Sequence, residues 1–305
     1  MAISEQWANL LEPGLRATFE LQREALASKS LIPVLFGVTT SNKAKEEDLG
    51  IGGFGDWEEY EDAIQYDDNA EGYKTTFTHK EYAKGFVVER KLVDDDQYNI
   101  INKRPRGLAL SAMRTREKHA ASVFNNAFSD SYAGGDSVGL CSLLHPHSPS
   151  NASTQANEGT LSLTYANAVT VRQAMRAYTD DRGELIPINP RLILVPPELE
   201  ETAVQICKTM RGPDSQVPGT ADYKANLIAE HGIDYLVWDY LTDANAWFMI
   251  DPELAKLSLL WLDRKPLEFA MDPTSDFTLK ARFRGYMRYS YGWNDWRWVY
   301  GNNPS

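Results

Sequence analysis

Residues 73–90 read Tyr-Lys-Thr-Thr-Phe-Thr-His-Lys-Glu-Tyr-Ala-Lys-Gly-Phe-Val-Val-Glu-Arg, and the fold turns on how this stretch is read. Tyr73 to Thr78 is rich in threonine and aromatics, which suit a pleated surface, and Gly85 to Arg90 is a second extended run. Ahead of them, Ala63-Ile64-Gln65-Tyr66 reads as an outgoing arm, with Asp67-Asp68-Asn69-Ala70-Glu71-Gly72 as its turn. The pattern predicts a long β-hairpin. Its arms carry few apolar residues for their length, so they have no core of their own and read as an interaction arm.

C-terminal to the hairpin, Pro105 is predicted to open a long helix that runs to Phe128, about 36 Å at 1.5 Å per residue. Ala109, Ala112, Met113, Ala120, Val123, Phe124, Ala127 and Phe128 supply its apolar face. Arg114, Arg116, Glu117, Lys118 and His119 read as a solvated flank of mixed sign, and Gly134-Gly135 as the stop. The segment 141–160 reads as a polar loop. Thr164 is placed to cap a helix reaching Tyr178, and Arg191 to Val195 is a continuous apolar run, hence a buried strand. Pro196-Pro197 should start the next helix, with Gly212 ending it. Further strands are expected near 235–238, 247–250 and 257–262. Leu279, Ala281 and Phe283 alternate with Lys280, Arg282 and Arg284 in a half-buried strand, and Trp296, Trp298 and Tyr300 should continue on its partner. No regular βαβ repeat appears, so the class is α+β.

N-terminal to the hairpin, Ser4 can cap a helix with Trp7, Leu10 and Leu11 on one face. Pro13-Gly14 is predicted to break that helix, and Leu15, Phe19 and Leu26 mark a second piece. So short an amphipathic segment is best read as an arm that packs on this chain or on a neighbour. Residues 36–55 are rich in glycine and charge. The run Gly50-Ile51-Gly52-Gly53-Phe54-Gly55 lacks the GK[ST] ending of a phosphate loop and reads as a mobile loop.

Composition narrows the function. The net charge of −12 argues against broad phosphate binding, because that rests on Lys and Arg. Two cysteines, Cys141 and Cys207, cannot form a disulfide framework, and no signal peptide or membrane-spanning run is read. A metal-dependent hydrolase would have to gather Cys141, His145, His147 and His119. Their spacing is not that of a standard zinc site, there is no HExxH, and Pro146 and Pro149 mark a loop. A nucleic-acid surface could be built from Arg282, Arg284, Arg288 and Arg297 among Tyr286, Tyr289, Trp293, Trp296 and Trp298. The plainer alternative is a sheet whose aromatic face is core. No catalytic residue, cofactor or metal is assigned.

Five segments in order carry a resemblance. They are Thr78 to Arg90, Ala120 to Phe128 with His145-Pro146 after it, Pro190 to Glu200, Leu241 to Phe248, and Tyr291-Gly292-Trp293-Asn294-Asp295-Trp296-Arg297. The chain resembles the major capsid proteins of tailed phages, including Mu-like head subunits. The resemblance implies the Hong Kong 97-type capsid fold, with an N-terminal arm at 1–35 and an extended loop at 36–93. It further implies a peripheral domain of 94–140 and 262–305 around a spine helix at 105–128, and an axial domain at 141–261. It implies a virion protein assembled in the host cytoplasm as hexamers and pentamers. Its partners would be its own copies, a scaffolding protein, a portal and a possible decoration protein, around DNA that is enclosed but not specifically bound. Contact residues expected between subunits are Trp7, Leu11, Tyr73, Lys74, Phe77, Lys80, Lys84, Arg90 and Lys91. A portal or tail-tube subunit is the alternative within the virion.

Overall fold

The structure is a computed structural model that describes residues 6–57, 59, 66, 68, 71–95, 99–209, 226–272 and 279–304, without the side chains of 6–9 and 51. The first helix, α1 (Gln6–Ala27), runs unbroken through Pro13, which corrects the predicted break. Leu15 and Phe19 are fully buried, and Phe19 stacks on Phe269 at 4.9 Å, so tertiary packing holds the turn that proline weakens. Ser4 lies outside the described residues. A short turn, α2 (Ile32–Leu35), leads into β1 (Gly37–Thr40) and β2 (Lys45–Ile51).

β2 pairs antiparallel with β3 (Glu71–Thr78), Lys45 opposite Thr78 and Leu49 opposite Lys74. The outgoing arm of the hairpin is therefore 45–51, inside the stretch read as a mobile loop. The predicted arm at 63–66 is corrected on that point, with 63–65 outside the described residues. Lys-Glu-Glu-Asp has no hydrophobic alternation to announce a strand, and backbone bonds make this ladder. After the single residue His79, β4 (Lys80–Glu89) takes its partner from far down the chain. A turn, α3 (Arg90–Asp94), precedes the long helix α4 (Ile100–Asn125).

α4 starts five residues before Pro105 and ends three before Phe128. Pro105 is buried within it rather than at its first turn. The segment read as a polar loop holds a small hairpin, β5 (His145–Ser148) with β6 (Asn151–Gln155), then β7 (Glu158–Gly159). Thr164 does cap α5 (Tyr165–Met175), its hydroxyl accepting from the Asn167 amide at 3.2 Å. β8 (Leu192–Val195), α6 (Glu200–Lys208), α7 (Leu227–Glu230), β9 (Asp234–Val237) and β10 (Trp247–Ile250) follow. Gly212, the expected stop, lies outside the described residues. The chain closes with α8 (Pro252–Ser258), β11 (Leu259–Asp272), β12 (Lys280–Trp293) and β13 (Val299–Asn302).

Two sheets organise these elements. One has the order β1-β11-β12-β4, with β12 antiparallel to β4 from Lys280 opposite Glu89 to Tyr289 opposite Lys80. The other has the order β7-β13-β10-β8-β9. Trp296 and Trp298 therefore do not continue a partner strand of β12. They sit in a turn that carries the chain across to the second sheet, where β13 joins β10. The 262–305 segment is accordingly shared between the sheets. α4 lies along the first sheet, and its Phe124 reaches the second, edge-on to Trp298 at 6.0 Å and to Phe248 at 5.3 Å. Helix and strand are mixed throughout, as the α+β class requires.

Candidate functional site

The root of the hairpin is tied by one histidine. His79 is buried between β3 and β4, and its two ring nitrogens each lie 3.0 Å from a serine hydroxyl, Nε2 from Ser41 and Nδ1 from Ser290. Ser41 in turn donates to Glu46 at 2.7 Å. A chain of hydrogen bonds thus joins the exit of β1, the start of β2, the β3–β4 junction and β12. Burial holds the His79 imidazole below its ordinary pKa, with Arg288 and Arg264 adding to that and Glu46 opposing it. The Ser41 hydroxyl, then Lys43, hold the Glu46 carboxyl down.

Above this root the inner side of β3 is pinned to the body. Phe77 is buried against Gly292, where a Cβ would sit 3.0 Å from its ring. Tyr73 is half-buried beside Gly135, and burial raises its phenol pKa. Gly134 and Gly135 do not stop α4. They let the loop pass between Trp293 and β3, since a Cβ would lie 2.7 Å from Trp293 Nε1 at the first and 2.7 Å from Thr75 Oγ1 at the second. Phe77, expected at a subunit contact, packs within its own chain.

The remaining expected contact residues divide. Lys74 pairs with Glu47 at 2.7 Å, and hydrogen bonds from Lys45 and Lys74 hold the Glu47 carboxyl down to about 2. Arg90 lies 3.7 Å from Asp94, while Lys80, Lys84 and Lys91 are exposed. Leu11 is half-buried on the core, and the Trp7 side chain lies outside those described. Sequence reasoning missed the aromatics that stand furthest out, Trp57 at 99% and Tyr66 at 92% exposure, in the segment between β2 and β3. Their signal was two aromatics among acidic residues with no periodic apolar partner.

The groups considered for a metal are engaged elsewhere. His145 Nδ1 lies 2.6 Å from Asp136 with its ring stacked on Trp296, His147 bonds the Asp180 carbonyl at 2.8 Å, and Cys141 is buried with its thiol pKa pushed up. Among the described residues no three His, Cys, Asp or Glu side chains gather as metal ligands. The aromatics proposed for base stacking are largely core, Tyr289, Trp296 and Trp298 all being buried. Of their arginine neighbours, Arg284 pairs with Asp272 at 2.8 Å, Arg288 with Glu81 at 3.7 Å and Arg297 with Asp295 at 3.1 Å, while Arg282 is exposed. Among the described residues no helix is long and apolar enough to cross a membrane.

The flank of α4 read as solvated is split by the structure. Arg116 holds Asp263 with two bonds of 2.9 Å, Glu117 accepts from Ser30 and from Trp238 Nε1, and His119 Nδ1 lies 2.8 Å from the Tyr289 hydroxyl. Arg114 and Lys118 point outward. Burial, then Lys80, lowers the pKa of His119.

Buried His79 and half-buried His119, both with lowered pKa, make a testable pH dependence. The unfolded chain takes up protons first as the pH falls through about 6.5, so their contribution is complete above that value and is lost below it. Each proton adds about 1.4 kcal/mol per pH unit to the loss. Urea midpoints should fall between pH 7 and 5.5, and a His79→Gln, His119→Gln double variant should flatten that slope. An unchanged slope would exclude both residues.

A family described as phage capsid protein matches residues 72–302. No curated protein matches the chain. Among solved structures, the bacteriophage PhiM1 mature capsid superposes with a TM-score of 0.57 at 11% identity, covering 90% of this chain and 87% of that one. The bacteriophage JBD30 capsid decorated with minor capsid protein trimers gives 0.55 at 14% identity, over 70% of this chain and 91% of that one. The capsid of a native GTA particle gives 0.53 at 15% identity, over 90% and 89%.

Proposed function

Since this chain belongs to the phage capsid protein family and is a major capsid protein of the Hong Kong 97 type, we propose that its copies join as hexamers and pentamers through the hairpin and the N-terminal arm. Its role is structural, and no chemical step is assigned to it. The observation that carries the reading is the β2–β3 ladder. Among the described residues β2 and β3 pair only with each other, and although the inner side of β3 packs on the body, the exposed Trp57 and Tyr66 beside them leave apolar area that needs a further surface to cover it. A second copy of the chain supplies that surface, and many such weak contacts add through multivalency while each stays reversible during assembly.

In this reading residues 1–35 are the arm and 36–93 the extended loop, and α4 is the spine of a peripheral domain. Residues 141–261 form the axial domain, which β13 completes. Assembly takes place in the host cytoplasm with a scaffolding protein and a portal, a decoration protein binds outside, and the shell encloses DNA. Expression of the chain alone and with neighbouring phage genes, followed by negative-stain electron microscopy, tests this. Closed polyhedral shells or capsomers support it. Rings of one size or tubes favour a portal or tail-tube subunit instead.

The cations of β4 and the turn after it give a sharper test. Reversing Lys80, Lys84, Arg90 and Lys91 to Glu together should abolish closed shells while moving subunit stability by about 1 kcal/mol or less, as exposed substitutions do. Intact shells from that variant would remove these residues from the interface.

A further inference from the structure

α4 carries Lys103, Arg104, Arg106, Arg114, Arg116 and Lys118 against one acidic residue, Glu117. The structure sorts these charges by direction. Glu117 and Arg116 turn inward to the partners already described, and Arg104 donates to the Val87 carbonyl at the edge of β4. Lys103, Arg106, Arg114 and Lys118 are all exposed. At 100° per residue they fall on one side of the helix, within about 120° of its circumference, along about 22 Å of its axis. None of the four forms an ion pair with a described residue, whereas on the neighbouring sheet Lys280, Arg284 and Arg288 each have an acidic partner and the exposed Lys80, Lys84 and Arg282 are scattered over two strands.

A chain of net charge −12 therefore presents one straight ridge of uncompensated positive charge. Its only large apolar side chain is Leu110, 48% exposed. Protein interfaces deplete lysine at their centres and need an apolar core, which this ridge lacks. A polyanion needs neither. Lysine and arginine at helical spacing can neutralise successive phosphates without reading bases, and the two arginines can engage phosphate oxygens bidentately.

We propose that the exposed ridge Lys103–Arg106–Arg114–Lys118 of α4 binds the phosphate backbone of double-stranded DNA without sequence preference, and so marks the face of the subunit that lines the interior of the shell. The sidedness rests on the shell reading above; the DNA contact does not.

The test uses the full-length chain and a fluorescent 20-base-pair duplex, followed by anisotropy from 50 to 200 mM salt. Four phosphate contacts give a slope of log affinity against log salt of about −3.6, a loss of roughly 150-fold over that range. The variant K103Q/R106Q/R114Q/K118Q should have a slope near zero, and each single substitution should shallow it by about 0.9. A K280Q/R282Q control on the outer face of the sheet should keep the wild-type slope. A wild-type slope shallower than about −1, or a quadruple variant that keeps the wild-type slope, overturns the proposal. So does a quadruple variant whose defect is lost self-association, because the ridge then meets acidic surface of a second copy. Shells scored in parallel by electron microscopy separate the two readings. A wild-type chain that lacks the slope but closes shells sinks only the ridge, and a wild-type chain that has the slope but forms no shells sinks only the shell.

Discussion

Replacing Arg116 by alanine should cost the folded subunit about 3–5 kcal/mol, because it leaves a half-buried carboxylate without its cation. The guanidinium makes both of its 2.9 Å bonds to Asp263, with side-chain exposures of 13% and 15%, so water replaces little of what is lost. It also lies over the rings of Trp261 and Tyr289, at 4.9 and 5.3 Å from their centroids. Arg116→Met keeps most of the packing and isolates the charge effect. Adding Asp263→Asn to Arg116→Met should recover a large part of the loss, since removing both charges from a buried pair costs far less than removing one. Denaturant unfolding of the three variants decides the matter. A loss under 1 kcal/mol for Arg116→Ala would mean that Asp263 finds water or another partner when the arginine is gone.

Phe124→Ala should be as damaging, at about 3–5 kcal/mol, through the cavity it opens. Its ring is buried at the end of α4, edge-on to Trp238 at 5.9 Å, to Phe248 at 5.3 Å and to Trp298 at 6.0 Å. Each aromatic contact adds about 0.5–1.5 kcal/mol to the area buried. Those partners belong to the second sheet and the turn beside it, so the substitution weakens the joint between the spine helix and that sheet. Phe124→Leu should recover more than half. Chemical denaturation with tryptophan fluorescence reads both the midpoint and the joint itself, because Trp238 and Trp298 line the site. If the alanine variant lost less than about 1.5 kcal/mol, the surrounding rings must collapse into the gap.

The sequence was most readable where a side chain answers to water alone. Trp247 to Ile250 is a strand because an unbroken apolar run must be covered on both faces, and the structure covers it. Thr164 announced its helix because an N-terminal amide needs a local acceptor. The two prolines misled because their cost is local while the compensation is not: Pro13 sits in a helix anchored by Leu15 and Phe19, and Pro105 is itself buried. β2 was illegible because a strand held by backbone bonds leaves no pattern in its side chains. At the site, the exposed lysines of β4 were visible as charge, but the inward turn of Phe77 and the root at His79 were not. Nothing near a lone histidine shows that Ser41 and Ser290, far apart in sequence, will meet it. The α4 charges looked balanced in one dimension, and only the helix direction separated Arg116, Glu117 and His119 from Arg114 and Lys118.

The change of partner at His79 has a mechanical meaning. β3 and β4 follow each other across the single residue His79, the first bonded to β2 and the second running beside β12 from Lys80 to Glu89. Tension applied at the tip travels along these strands and loads the β4–β12 bonds side by side, in shear, so they must fail together rather than unzip one after another. The subunit should therefore be stiff to stretching of its hairpin.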